Sequence, residues 1–245
     1  MMWNERTALL LGEDQMQRLT NSHVLVVGVG GVGAYAAEML VRAGLGQITI
    51  VDADKIHVSN INRQLPALHS NIDSPKVDTL GARLMDINPQ LKLTKYQLYI
   101  RDEKTPELLQ SADFDFIVDA IDTIAPKVYL IAEAIKRKIK IISSMGAGAK
   151  RDITKIQFAK LKDTYHCGLS RQVRKRLRAI GIKHHKIPVV FSSEPADPKA
   201  VIMIDDEQNK KSTCGTISYM PAVFGCYLAE YVLRKLTTTK SDKED

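Results

Sequence analysis

The feature that most constrains the fold is a glycine-rich turn, GVGGVG at residues 28–33, set between two strand-like runs. A β-branched segment, His23–Val27, precedes the turn, and a stretch with helical spacing, Ala34–Ala43, follows it. A second apolar run, Gln47–Val51, comes next. Short apolar runs joined through a helix are typical of buried parallel strands, and such connections are almost always right-handed. The sequence therefore predicts a βαβ unit at the start of an α/β sheet.

The turn also carries the glycine pattern of a nucleotide-binding loop. Glycines at this spacing let the backbone approach phosphate oxygens, and the positive end of the following helix favours an anion. Asp52 directly follows the second run, where an acidic side chain bonds ribose hydroxyls. The alternative is a tight turn without a ligand, and the pattern alone does not choose NAD or ATP. The candidate nucleotide-binding residues of this unit are Gly28, Gly30, Gly31, Gly33 and Asp52.

Strand-like and helical segments continue to alternate up to residue 145. We therefore expect a doubly wound, Rossmann-like, mostly parallel sheet over residues 20–145 with a C-terminal elaboration, all within one domain spanning 1–245. The elaboration comprises a basic part at 150–195, an apolar helix at 217–236 and a disordered tail at 237–245. The other predicted helices are Thr7–Leu19, Ser74 to about Asn88 and Ala125–Lys138, and the other predicted strands are Leu91–Leu98, Phe114–Val118, Lys140–Ser144, Ile153–Leu161 and Val189–Phe191.

A polar loop after the second strand carries groups suited to a phosphate chain. Arg63 can grip phosphate oxygens with two N–H groups, and Asn60 and Asn62 lie beside it. Lys76 adds a point charge in the first turn of a helix that Ser74 is expected to cap. Two cations suit a triphosphate under attack better than a passive pyrophosphate. The alternative is ordinary surface charge on a loop.

Two carboxylates, Asp119 and Asp122, follow the buried run that ends in IVD. At the carboxyl end of a strand, a carboxylate can hold Mg²⁺ against a phosphate chain. The alternative for Asp122 is to cap the helix that begins near Ile124.

Net charge is +7 and is concentrated in one segment, Lys160–Lys186, which holds nine Lys/Arg and one Asp. Ser170–Ala179 has helical spacing, with Val173, Leu177 and Ile180 predicted on one apolar stripe and cations elsewhere. Such a face suits a polyanion, with a solvated surface as the alternative. The stripe lacks the large aromatics of a calmodulin target or membrane helix. The candidate RNA-binding residues are Arg171, Arg174, Lys175, Arg176, Arg178, Lys183 and Lys186, a patch that His184 and His185 extend.

Other sequence features narrow the classes of protein. Three cysteines without a CxxC pair argue against a disulfide framework and a tetrahedral zinc site, and favour a reducing, cytoplasmic setting. Pro221 and Glu230 interrupt the longest apolar stretch, so a membrane span is not expected there. Ser192, Ser193 and Glu194 are weaker candidates for the substrate end of the site. The three cysteines are Cys167, Cys214 and Cys226, none a convincing covalent nucleophile.

The ordered set GVGGVG, VDAD, SNINRQ, SPK and VDAID resembles the adenylating enzymes of the ubiquitin-activating type. That resemblance implies that the glycine loop, Asp52 and Asn60 bind ATP, that Arg63 and Lys76 contact its phosphates, and that Asp122 holds Mg²⁺. It also implies a homodimer in which an N-terminal arginine, Arg6 here, reaches the ATP of the partner subunit. Taken alone, Arg6 is an ordinary exposed arginine.

Within that superfamily, the chain is most similar to the tRNA threonylcarbamoyladenosine dehydratases. The resemblance runs almost end to end and includes SSMGAGAKRD, VRKRLRAIGI and IPVVFSSE, which lie outside the generic ATP site. It implies adenylation of the threonyl carboxylate on a modified adenosine next to the anticodon of tRNA, then cyclisation with net loss of water. Sulfur-transfer proteins are further possible partners.

Three other functions are consistent with parts of the sequence. An activator of a small sulfur-carrier protein would use the same ATP site and ignore tRNA. An RNA adaptor without chemistry would bind tRNA and leave ATP unchanged, and an NAD-dependent oxidoreductase would leave Arg63 and Lys76 without a role.

Overall fold

The computed structural model describes residues 3–183, 186–203 and 212–238. Its centre is a seven-stranded sheet with the strand order β3-β2-β1-β4-β5-β7-β6, in which only β6 runs antiparallel to its neighbour. The strands are β1 (His23–Val27), β2 (Gln47–Val51), β3 (Lys92–Tyr96), β4 (Phe116–Asp119), β5 (Ile141–Ser144), β6 (Ile156–Lys160) and β7 (Pro188–Ser192). The predicted Rossmann-like, mostly parallel fold is confirmed.

Helices cover both faces of this sheet. The described helices are α1 (Glu5–Leu11), α2 (Glu13–Asn21), α3 (Gly33–Arg42), α4 (Lys76–Ile87), α5 (Lys104–Gln110), α6 (Ile124–Lys136), α7 (Gly168–Ala179) and α8 (Tyr219–Thr237). Val24 and Val26 of β1 belong to a core with α3, α4 and α8, whereas Leu25 and Val27 belong to a core with α5, α6 and α7. Because side chains alternate along a strand, each continuous apolar run supplies both cores.

The strand order reverses direction at β1, which lies between β2 and β4. Val27 at the end of β1 is level with Val51 of β2 and Asp119 of β4, so the three strands end together. Ligands of doubly wound sheets bind at such a switch point, outside the carboxyl ends of the strands. The loops after β1, β2 and β4 carry the predicted nucleotide residues to this place.

The basic segment is built into the same sheet. β6 and β7 extend the sheet beyond β5, and α7 connects them with Val173 and Leu177 buried against the second core. Ile180 is 54% exposed and does not join the buried stripe, because α7 ends at Ala179.

The long apolar stretch near the end of the described chain docks inside the molecule. α8 buries Met220, Phe224, Leu228 and Val232 in the core beside α3. A Cβ atom at Gly225 would lie 2.5 Å from the carbonyl oxygen of Val32, so the absence of a side chain permits this close helix contact. No helix in the described ranges is long and apolar enough to cross a membrane.

Several predicted boundaries differ from the structure. The expected N-terminal helix Thr7–Leu19 is two helices, because Gly12 between them has a φ of 77°. Ser74 does not cap α4: the helix begins at Lys76, Pro75 occupies the capping position, and no side chain caps it.

Two elements were not predicted, and other boundaries shift by a few residues. The unpredicted elements are α5 and a hairpin of β8 (Val201–Met203) and β9 (Ser212–Cys214). Strands β3 and β6 are shorter than expected. Thr237 of the expected tail still belongs to α8, while 239–245 and the predicted His184 and His185 lie outside the described residues.

Candidate nucleotide site and RNA-facing surface

The glycine turn after β1 is packed too tightly for side chains at two of its positions. A Cβ atom at Gly33 would lie 1.8 Å from the carbonyl oxygen of Gly28. Gly28 has a φ of 84°, and a Cβ there would lie 2.9 Å from the carbonyl oxygen of Ala120, in the loop after β4. The turn therefore brings the N-terminus of α3, an end that favours anions, against the end of β4.

Gly31 marks the place where three segments of the chain meet. A Cβ atom at Gly31 would lie 3.2 Å from Cβ of Pro221 and 3.3 Å from the carbonyl oxygen of Arg63. The glycine turn, the polar loop after β2 and the start of α8 thus form one wall of the site.

Asp52 fixes the glycine turn from the end of β2. Its carboxylate accepts the backbone N–H of Val29 at 2.8 Å and that of Asp54 at 2.9 Å. Burial raises the pKa of Asp52, and the ammonium of Lys76 counteracts that rise. Each carboxylate oxygen has a further lone pair, so the side chain retains capacity to accept ribose hydroxyls.

Lys76 lies between two carboxylates at the start of α4. Its Nζ is 2.7 Å from Oδ2 of Asp54 and 4.0 Å from Oδ1 of Asp52, and its side chain is only 6% exposed. The structure therefore brings this predicted cation to the edge of the sheet that holds the glycine turn.

Arg63 and the asparagines hold the polar loop in shape. Nη1 of Arg63 donates to the carbonyl oxygen of Ser59 at 2.7 Å and to Oδ1 of Asn62 at 2.8 Å. Oδ1 of the buried Asn60 accepts the backbone N–H of His57, and the amide of Asn62 donates to the carbonyl oxygen of Thr216.

Gln64 is a further candidate site residue, one that its sequence pattern alone does not indicate. Among the described residues, its Oε1 is buried without a hydrogen-bond partner. Its amide nitrogen is 3.5 Å from where a Cβ atom of Gly30 would lie. A buried polar atom without a partner is costly, so Gln64 is a candidate to contact a ligand beside the glycine turn. The sequence feature that could have indicated Gln64 is its position next to Arg63 in NINRQ.

The two carboxylates after β4 separate into different environments. Asp119 is fully buried, and its Oδ2 accepts from Nζ of Lys127 at 2.7 Å and from the hydroxyl of Ser143 at 2.6 Å. The expectation that Asp119 contacts metal or substrate is therefore wrong. Asp122 is exposed. It does not cap α6, because Thr123 occupies the capping position, and the helix has no side-chain capping hydrogen bond.

Arg6 lies on α1, a helix in which no residue is buried. Leu9 and Leu10 of the same helix are each 82% exposed. Arg6 is also exposed.

The basic helix presents most of its cations to solvent, with one exception. Arg171, Lys175, Arg176, Arg178, Lys183 and Lys186 are exposed. Arg174 instead turns inward, where its Nη1 donates to the carbonyl oxygens of Leu161 and Thr164. The guanidinium group of Arg174 therefore holds the loop before α7 in place and does not face solvent like the other cations.

The segment after β7 is held in a similar way. The carboxylate of Glu194 accepts the backbone N–H groups of Arg151 and Asp152, and Lys150 donates to the carbonyl oxygens of Ser192 and Glu194. Burial lowers the pKa of Lys150, opposed by nearby Cys167 and Glu194. Glu194 is thus a structural acceptor here.

A glycine turn at the switch point of a doubly wound sheet, with the carboxylate of Asp52 and the ammonium of Lys76 beside it, is typical of nucleotide-binding α/β proteins. Comparison with known proteins specifies the class further: residues 4–244 match the ThiF family, and the chain belongs to that family.

Similar proteins span nearly the whole chain. The chain is 38% identical to the tRNA threonylcarbamoyladenosine dehydratase of Bacillus subtilis, over 94% of this chain and 93% of that protein. It is 33% identical to the dehydratase of Escherichia coli, over 96% and 94%. A crystal structure of the Escherichia coli enzyme in complex with ATP superimposes with a TM-score of 0.87 at 31% identity, over 98% of this chain and 96% of that one.

The buried Asp119–Lys127 pair yields a stability prediction. Lys127→Met should lower the free energy of unfolding by about 3–5 kcal/mol, because it leaves a buried carboxylate without its cation. Lys136→Met is the matched control: Lys136 pairs with Glu133 at 2.7 Å but its side chain is 60% exposed, so the loss should stay below about 1 kcal/mol. Urea unfolding measures both, and adding Asp119→Asn to Lys127→Met should recover part of the loss. Equal losses in the two lysine variants would contradict the prediction.

Proposed function

We propose that this chain is an ATP-dependent tRNA threonylcarbamoyladenosine dehydratase. The observation that carries the proposal is the near full-length similarity to dehydratases, and the presence of the glycine turn, Asp52 and Lys76 at the switch point supports it. The similarity extends through β6, α7 and β7, which lie beyond the nucleotide loops. A tRNA substrate and free cysteines are consistent with action in the cytoplasm.

The proposed reaction converts a poor leaving group into a good one. A carboxylate oxygen of the threonyl group attacks the α-phosphorus of ATP, and pyrophosphate leaves. The carbamoyl group then attacks the activated carbonyl carbon and AMP leaves, so the nucleoside loses one water in total. Each step depends on holding reactants in line, and none requires a covalent bond to the protein.

The chain's own residues bind and orient ATP in this scheme. The glycine turn and the N-terminus of α3 receive the phosphates, Asp52 accepts the ribose hydroxyls, and Gln64 contributes its unfilled acceptor. Arg63 and Lys76 stabilise the charge that develops on the phosphate oxygens. To contact a phosphate oxygen, the ammonium group of Lys76 would give up part of its contact with Asp54.

The donor set also fits Mg²⁺. This ion binds proteins through one or two carboxylates and completes its shell with phosphate oxygens and water. Asp122 is an exposed carboxylate at the end of β4, beside the glycine turn, and would hold the ion. When bound, Mg²⁺ neutralises charge on the phosphate chain.

The reaction is tested by one assay. The protein, ATP and Mg²⁺ are incubated with tRNA that carries threonylcarbamoyladenosine, and the digested nucleosides are weighed. We expect a product lighter by one water that requires ATP. Asp122→Ala should abolish the product and leave the tRNA dissociation constant within about twofold, since Asp122 is not on the basic face. An unchanged nucleoside would refute the proposal, and AMP release with a small sulfur-carrier protein would then favour the carrier-activating alternative.

We propose further that the exposed cations of α7 bind the tRNA backbone. Replacing Lys175, Arg176 and Arg178 with glutamine should reduce the slope of log K against log salt by about 2–3, roughly one unit per lost phosphate contact. A control with the same change in charge replaces the exposed residues Lys92, Lys104 and Lys140. Filter binding at several salt concentrations measures both. An unchanged slope in the α7 variant would exclude this face.

A homodimer is the remaining part of the proposal. The uncovered apolar side chains of α1 fit a second copy of the chain, and Arg6 on the same helix would then reach the partner's nucleotide.

Mixing two inactive variants tests this arrangement. Arg6→Ala and Asp122→Ala proteins, unfolded and refolded together, should regain about a quarter of wild-type activity, because half of the dimers are mixed and each mixed dimer has one intact site. Each variant refolded alone is the control. Failure of the mixture to exceed the controls would show that Arg6 does not act across a dimer.

A further inference from the structure

The loop between β6 and α7 presents one aromatic side chain that the nucleotide chemistry does not use. Tyr165 is 49% exposed, although the residue before it, Thr164, is buried. Exposed lysine and arginine flank it in sequence, Lys162 on one side and Arg171 on the other. Tyr165 is thus an exposed ring within the basic segment.

Two cations hold the backbone on either side of Tyr165. Arg174 donates to the carbonyl oxygen of Thr164 at 2.9 Å and also to its hydroxyl. Lys150, which is only 3% exposed, donates to the carbonyl oxygen of His166 at 3.4 Å and to that of Ser192 at 3.0 Å. Both side chains lie in the region expected to bind RNA. Both nevertheless donate to oxygens within the protein, and so they fix the position of this loop.

The ring itself is held by its neighbours. Tyr165 packs edge-on with Phe191 at 5.4 Å and with His166 at 5.1 Å between ring centroids. His166 has a φ of 50°, a conformation costly for a residue other than glycine, and its Nδ1 contacts the carbonyl oxygen of Ser193. Such a conformation persists only where the surrounding structure holds it.

The loop lies at the same edge of the sheet as the nucleotide site. Its anchors, Ser192 and Ser193, are at the carboxyl end of β7, and Sγ of Cys167 is 3.6 Å from where a Cβ of Gly146, after β5, would lie. β1 and β7 are three strands apart in the sheet, a separation of about 14 Å. The Tyr165 loop and the glycine turn therefore share one edge of the sheet.

We propose that Tyr165 is a stacking platform for an unpaired nucleobase of the RNA substrate, close to the modified adenosine. The inference rests on the proposed function, because it assumes a tRNA substrate. Proteins read single-stranded RNA loops by stacking splayed bases on fixed aromatic rings beside a basic groove. The described loop provides the ring, the rigid support and the flanking charge.

Tyrosine variants measured with tRNA and with ATP alone test the proposal. Tyr165→Ala should raise the dissociation constant for tRNA on the order of tenfold, with the salt slope and the affinity for ATP unchanged, because stacking involves no ion release. Tyr165→Phe and Tyr165→Trp should bind tRNA within about twofold of wild type, since they keep the ring. Tyr99→Ala is the control, because Tyr99 is 39% exposed and lies beyond β3 at the far end of the sheet.

An RNA series identifies the stacked base. Anticodon stem-loops with one abasic nucleotide at each loop position are bound to wild type and to Tyr165→Ala. Removal of the base at one position should weaken binding to wild type but should cause no further loss in Tyr165→Ala. This result is expected if the base and the tyrosine ring are the two halves of one contact. The proposal is overturned if Tyr165→Ala behaves like Tyr99→Ala, if Tyr165→Phe is as weak as Tyr165→Ala, or if every abasic loss adds to that of the variant.

The assay for the dehydrated nucleoside distinguishes failure of the stacking proposal from failure of the proposed function. If wild-type protein forms the dehydrated nucleoside and the tyrosine results are negative, only the stacking proposal falls. If wild-type protein neither binds nor modifies tRNA, both proposals fail together.

Discussion

The structure depends on how closely the glycine turn approaches the loop after β4. Gly28 lies against the backbone of Ala120, and Gly33 lies against Gly28 itself, at distances that exclude any side chain. This contact fixes where α3 begins, and therefore where its positive end points. It also holds the backbone of the glycine turn close to the loop that carries Asp122. Positioning of this kind is set by main-chain packing and leaves side chains free for chemistry.

Much of the fold could be predicted because short local patterns in the sequence indicate its elements. Each buried parallel strand is a short apolar run, and the glycine turn with Asp52 specifies both the first βαβ unit and its ligand edge. Element boundaries were less accurate, since Ser74 looks like a capping residue but the bridge between Lys55 and Pro75 delays the helix to Lys76. The hairpin β8–β9 has no comparable local signal.

The site was predictable in part, for a related reason. Residue type and spacing indicated the loop positions, but they could not distinguish Asp119 from Asp122, because the distinction comes from Lys127 and Ser143 on other elements. The same holds for Arg174, whose inward contacts depend on a loop ten residues earlier in the chain. The sequence shows how many charged residues the chain has, but only the fold determines which of them face solvent.

The contact between Gly31 and Pro221 has a consequence for biosynthesis. One wall of the nucleotide site is contributed by a helix that begins almost 190 residues after the turn it completes. At typical rates of translation, the ribosome needs roughly 10–40 s to make that length of chain. The early βαβ unit therefore emerges without this wall of the candidate site, and α8 can pack against α3 only after the ribosome has made it.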